Sequence, residues 1–140
     1  MTPETTELVR FRLVRAAESL AEAKLLFEND HVQTAVNRMY YACFYAVSAL
    51  LLTEGYFSPK HSGIRALFDQ HWIAPGRLPK HMGRLYRRLF DSRQQADYTD
   101  LSTFDPAETR LWLEEAGAFV ERIRQSLKEG LESNQGKAQG

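Results

Sequence analysis

The sequence has a single cysteine among its 140 residues, so no internal disulfide can form, and the 44% of hydrophobic residues must build the core without covalent cross-links. A long apolar run is also missing. The longest stretch without a charge, Met39 to Thr53, covers fifteen residues and falls short of the roughly 20 a spanning helix requires. The first residues carry two glutamates and no apolar segment behind a basic cluster, so they do not read as a secretory signal. These absences lead to the expectation of a cytoplasmic protein that does not enter the membrane. With only eight glycines and five prolines there is no glycine-rich phosphate loop, and no serine sits between glycines as in a nucleophile elbow. Paired Cys/His sets with zinc spacing and the Glu-x-x-His pairs of a di-iron bundle are absent too, and no metal or cofactor is implied.

There is no net charge either, since 18 basic side chains face 18 acidic ones, but the distribution is uneven. Residues 1–59 hold five basic and seven acidic groups, residues 60–93 eight and two, and residues 94–140 five and nine. A neutral chain with a basic middle can hold a phosphate-bearing partner there without being a general polyanion binder.

The apolar pattern is helical throughout. Val9, Leu13, Ala16, Leu20, Ala23 and Phe27 alternate at spacings of four and three, which predicts a first helix over about 4–28. After Asn29-Asp30 a second segment, about 31–53, is apolar on nearly every side from Ala35 to Leu52, as befits a central helix. Ser58-Pro59 predicts the cap and first residue of a third helix reaching about Trp72. Pro79 predicts the start of a fourth that runs to about Gln95. Asp105-Pro106-Ala107-Glu108 combines a cap, a first-turn proline and a capping-box acid for a fifth. Residues 131–140 are polar and are expected to form a disordered tail behind a single all-α domain, 1–130, built as an antiparallel up-and-down bundle of four to five helices.

Several polar groups lie where packing does not call for them. Arg38 precedes Tyr41 by less than one turn at the start of the apolar run. It is either a helix-end arginine bonded to a carboxylate on a neighbouring helix, or a cation in a tyrosine-lined site. His61, with Lys60 beside it, falls in the first turn of the third helix, where free N–H groups attract anions, although a backbone hydrogen bond would also occupy it. Cys43 reads as a small buried hydrophobe. On the fourth helix Lys80, Arg84, Arg87 and Arg88 share one face with Asp91, either a phosphate-binding strip or a solvated side. Arg93 is different: it points along the apolar face, between the directions of Leu89 and Tyr86, and Asp97 is its local candidate partner.

The run Asn37-Arg38-Met39-Tyr40-Tyr41-Ala42 with Phe44 and Ala46, then Lys60-His61-Ser62-Gly63, then Arg93 with Ala96-Asp97-Tyr98, resembles the HEPN superfamily, in its small stand-alone branch, over roughly residues 5–128. The resemblance implies an all-helical bundle that forms a homodimer, often encoded beside a minimal nucleotidyltransferase as a toxin–antitoxin or nucleotide-handling pair. The residues that become candidates to contact an RNA or nucleotide ligand are Arg38, Tyr41, Lys60, Asp97 and Tyr98. Many members are metal-independent endoribonucleases that use an R-x(4–6)-H motif. Here Tyr98 stands where that motif has histidine, so the usual acid–base partner is missing, and His61 becomes the candidate to work with Arg93. By the same resemblance Tyr98 is the candidate acceptor of AMP from a nucleotidyltransferase. A literal match, Arg65 and His71, is what chance supplies in a chain with thirteen arginines and four histidines. Three functions follow: a phosphate-binding HEPN partner protein, a divergent endoribonuclease using Arg93 and His61, or a structural dimer whose polar cluster sets its register.

Overall fold

The computed structural model describes the backbone of residues 1–98 and 104–139, and side chains for residues 1–93 and 104–129. Its elements are five α-helices, α1 (Pro3–Glu28), α2 (Val32–Thr53), α3 (His61–Phe68), α4 (Lys80–Tyr98) and α5 (Pro106–Gln139), with one π-helical turn, Asp69–Ile73, directly after α3. No strand occurs among the described residues. This is an all-α bundle with α2 at its centre, packed on α1, α3, α4 and α5. The near-continuous apolar run of α2 is the cause, because a helix hydrophobic all round has to be covered on every side. Ala35, Val36, Met39, Tyr40, Ala42 and Cys43 are all buried on it. Burial pushes the Cys43 thiol upward, which keeps it protonated and inert.

Local chemistry sets the ends. The hydroxyl of Thr2 caps α1 by accepting from the Thr5 amide at 3.1 Å, and Pro3 follows at the first helical position. α1 and α2 both close with paired bonds that run back from beyond the helix: His31 N to Leu26 O and Asp30 N to Phe27 O in one, Tyr56 N to Leu51 O and Gly55 N to Leu52 O in the other. This arrangement requires a left-handed residue just past the cap. Gly55 (φ 79°) supplies it without strain, while Asp30 (φ 66°) does so with a side chain. At α5, Asp105 Oδ1 accepts from the Ala107 amide at 3.2 Å as expected, while the Glu108 carboxylate lies 3.8 Å from Arg88.

Three expectations are corrected. α3 begins at His61 and is capped by Lys60, because the Ser58 hydroxyl is turned onto the Lys60 amide at 3.2 Å and closes a tight turn of its own. Ser58 therefore sits beside the helix, and Pro59 stays outside it. The far end of the third segment is not α-helical: Ala74 N reaches Asp69 O at 2.8 Å, a π turn that buries Trp72 and lays Ile73 on the bare Cα of Gly83. α4 starts at Lys80, with Pro79 one residue outside. Farther on, the α5 backbone stays helical to Gln139, through most of the segment expected to be a tail, whose side chains lie outside the described residues.

The turn before α3 makes one glycine indispensable. A Cβ on Gly63 would come 2.0 Å from Ser58 Oγ and 2.7 Å from Ser58 Cβ, whereas one on Gly117 in α5 would meet only Leu20 Cδ2 at 3.8 Å. In urea denaturation, Gly63→Ala is expected to lower stability by about 1–3 kcal/mol through overpacking. Gly117→Ala is expected to raise it by about 0.5–1 kcal/mol through helix propensity. Equal losses in the two variants would contradict the close approach at Ser58.

Candidate functional site

Members of the three sequence motifs converge at one place among the described residues. α2 supplies Arg38, Tyr40, Tyr41 and Phe44, the first turn of α3 supplies His61, and α4 supplies Arg93. Residues 40, 41 and 44 meet there because consecutive and i+4 positions of a helix fan out over one broad face. The fourth α4 turn brings Arg93 to that face, since Leu85, Tyr86, Leu89 and Phe90 bury the same side of α4 beneath it.

Arg93 Nη1 lies 3.0 Å from the Tyr41 hydroxyl and 3.2 Å from His61 Nδ1. Its guanidinium carbon stands 4.6 Å over the Tyr40 ring and 5.6 Å from that of Tyr41. Tyr40 is fully buried, and its hydroxyl is 2.9 Å from the same His61 Nδ1. The imidazole stacks on Phe44 with centroids 4.4 Å apart. These distances fix the proton. A guanidinium only donates, so Nδ1 must be the accepting nitrogen and Nε2 carries the hydrogen in a neutral ring. Nδ1 then offers one lone pair to two donors, Arg93 and Tyr40. Burial pushes the Tyr40 phenol up to about 12, which keeps it a neutral donor. Burial of the imidazole, with the Arg93 cation beside it, holds His61 below its ordinary value.

Arg93 has aromatic faces, a hydroxyl and an imidazole for neighbours, but no carboxylate partner among the described residues, and its buried Nε has no hydrogen-bond partner there. The Asp97 and Tyr98 side chains, expected beside it, lie outside the described residues. Arg38 combines both of its anticipated roles. It reaches Glu22 on α1 at 3.5 Å and lies over the Tyr41 ring at 4.9 Å. Lys60 is exposed at the cap of α3, next to His61.

Other basic groups are occupied elsewhere. Arg87 faces Asp69 at 3.7 Å and Arg88 faces Glu108 at 3.8 Å, so half of the expected basic strip on α4 is a solvated face matched to acids. Arg65 faces Asp91 at 3.8 Å while His71 stacks on Tyr56 at 4.2 Å, so each half of the chance motif has a different neighbour. Sequence reasoning passed over Tyr40 as a working group. Its neighbours in the run made it look like core, and only the register of α3 against α2 reveals that its hydroxyl serves His61.

A helical bundle with an arginine, a histidine and tyrosines gathered at one half-buried point defines the class: an all-α protein with a polar cluster set among its helices. The comparisons supply the family. The profile of the HEPN domain matches residues 9–131, and the chain belongs to this family. A UPF0332 protein of Thermotoga maritima is 37% identical over 126 residues, covering 90% of this chain and 96% of that protein. A Methanocaldococcus jannaschii protein named as a candidate toxin is 40% identical over 115 residues, covering 81% of this chain and 84% of its own. A second candidate toxin of that organism is 29% identical over 113 residues, 81% of this chain and 77% of its own. No helix among the described residues is long and apolar enough to cross a membrane.

The histidine shift carries a pH signature. Between its lowered value and the ordinary 6.5, the folded protein binds fewer protons at His61 than the unfolded chain does. Its contribution to stability therefore rises with pH through that window and is lost as the pH falls below about 6.5. Imidazole NMR is expected to show His61 titrating below 6.5, and moving upward in Arg93→Ala once the cation is gone. A His61 midpoint above 6.5 in the wild type would contradict this environment.

Proposed function

We propose that the protein is a toxin-like HEPN protein whose Arg93, His61 and Tyr41 hold a phosphate of RNA, with Arg38 and Lys60 adding positive charge at the rim. The observation that carries this reading is the Arg93 guanidinium. It sits half-buried on two tyrosine rings, 3.2 Å from a neutral imidazole, with no carboxylate among the described residues to neutralise it. A cation so placed gains from an anion that brings several acceptor oxygens, and a phosphodiester brings two unesterified oxygens and one negative charge. The relatives named as candidate toxins support the same class of role. In this reading the chain works as a homodimer and as the HEPN half of a two-gene pair with a small nucleotidyltransferase, for which Tyr98 is the AMP acceptor.

The proximity of His61 to Arg93 favours a second reading, a metal-independent endoribonuclease. An RNA phosphate that draws Arg93 toward its oxygens lets the ring take its other tautomer, with Nδ1–H donating to the Tyr40 oxygen and the Nε2 lone pair free to accept a proton. The imidazole then takes the 2′-hydroxyl proton as O2′ bonds to phosphorus, the P–O5′ bond breaks, and the proton is returned to O5′. Arg93 balances the charge on the phosphoryl oxygens.

Binding of a short fluorescein-labelled single-stranded RNA, read by anisotropy, tests the first reading. Arg93→Ala is expected to weaken it about 10- to 100-fold, as loss of charge-assisted hydrogen bonds does, with unchanged circular dichroism. Arg93→Lys is expected to fall between, because it keeps the charge and loses the fork. Equal affinities across the series would remove the proposal. For the second reading, the same RNA is incubated with wild type and His61→Gln. Products ending in a 2′,3′-cyclic phosphate from wild type alone are the expected outcome, and identical background from both would leave only binding.

A further inference from the structure

Phe44 has two sides. One ring face stacks on His61, and the ring also walls a second pocket of about 80 Å³ that α1, α2 and the loop after α2 enclose. α1 contributes Arg12, α2 contributes Ser48, and the loop contributes Tyr56 and Phe57. Two features of this pocket have no part in the fold. Ser48 is only 5% exposed, yet its Oγ has no hydrogen-bond partner, and the buried Nε of Arg12 has none either. Two donors with nothing to donate to, in a pocket whose other walls are mostly aliphatic and aromatic carbon with the hydroxyl-bearing Tyr56 and Ser58 among them, are costly unless an acceptor arrives. The second feature is Phe57, which is 69% exposed at the mouth and packs no core. A flat aromatic face held in solvent beside unpaired donors is the arrangement by which proteins stack and read unpaired bases.

We propose that this pocket is a base subsite for single-stranded RNA that takes the carbonyl edge of a pyrimidine, with the base stacked on Phe57. The carbonyl oxygen accepts from Ser48 Oγ and Arg12 Nε, and Phe44 separates the base from the phosphate held at Arg93 and His61. This rests on the phosphate-binding reading, which supplies the adjoining nucleotide. Size selects the base. A cavity of roughly 150 Å³ encloses a benzene ring. A pocket of about 80 Å³, open on one side, therefore admits the edge of one ring and not a fused pair. Chemistry selects in the same direction, since uracil and cytosine both present a carbonyl oxygen next to their glycosidic bond, while adenine has none.

Anisotropy with hexauridylate, hexaadenylate and a six-unit abasic ribose-phosphate chain tests the proposal. The wild type is expected to bind the uridylate about tenfold more tightly than the adenylate, in the range that one hydrogen bond from a charged donor contributes. Ser48→Ala, which is nearly isosteric, and Phe57→Ala, which truncates an exposed ring, are each expected to bring the two oligomers to equal affinity. Both should leave binding of the abasic chain as in the wild type. A wild type without preference, or variants that keep the wild-type ratio, would overturn the base subsite. If Arg93→Ala still abolished binding in that case, the phosphate reading would stand alone. Failure of all three oligomers to bind would overturn both. Should Phe57→Ala instead convert a dimer to a monomer in sedimentation while the ratio stays fixed, the pocket mouth belongs to a contact between copies and the base subsite is wrong.

Discussion

The structure turns on a cation that the bundle holds against aromatic faces. Bringing a guanidinium partly out of water costs several kcal/mol unless something replaces the lost hydration. In this chain the replacement comes from π faces, one hydroxyl and one shared imidazole lone pair. Tyr40 and Tyr41 present ring faces 4.6 and 5.6 Å from the guanidinium carbon, each worth roughly 0.5–2 kcal/mol for such a pair. None of these groups carries a negative charge. Among the described residues, therefore, nothing cancels the positive potential, as a carboxylate in their place would have done. Arg77 illustrates the opposite arrangement, since it lies over Trp72 at 4.6 Å but is also paired with the Glu54 carboxylate, and so staples the end of α2 to the segment before α4.

That distinction accounts for much of the layout around the site. α2 must be the central helix for its tyrosines to face α3 and α4 together, and the apolar run of α2 makes it central. The tight turn at Ser58 and the bare Gly63 let the start of α3 close on α2, which sets His61 onto Phe44 and against the Tyr40 hydroxyl. The tyrosine is held in turn, because Tyr86 stacks on its ring at 5.9 Å and is fully buried. A rigid tyrosine holds a rigid histidine, so the geometry at Arg93 is inherited from core packing.

How far the sequence revealed this depends on the range of each interaction. α1, α2 and α5 were legible because their stripes, caps and stop signals are local, and the bounds agree within a residue or two at every end that a cap or turn residue marks. Arg93 was legible as inward because the direction of one residue on a wheel depends only on its neighbours within two turns. The misplaced start of α3 came from a choice between two local bonds. Ser58 could have capped the helix but bonds the Lys60 amide instead, and only the close approach of Gly63 decides between them. The π turn left no signal, since an extra residue per turn changes the apolar spacing too little over five positions. The meeting of His61 with Arg93, 32 residues apart, belongs to tertiary structure. No spacing rule reaches that far, and only the resemblance had joined the two.

The shared lone pair on His61 decides how the site behaves as chemistry. With two donors on Nδ1, at 2.9 and 3.2 Å, neither bond is at full strength, and either donor can leave without stranding the ring. Arg93 is the freer of the two. Tyr40 is locked by its stacking partners and kept protonated by burial, whereas Arg93 is half-buried and its other bond among the described residues is to a hydroxyl. In the proposed reading, an arriving phosphate competes for the guanidinium with a weak, divided hydrogen bond, and the Tyr40 bond keeps the imidazole in place as Arg93 turns to the anion. A carboxylate in the place of the imidazole would have reversed this order, because breaking an ion pair in a half-buried site costs more than parting from an imidazole. The neutral neighbours among the described residues thus leave the cation open to an anion and hold a histidine whose position does not depend on that cation.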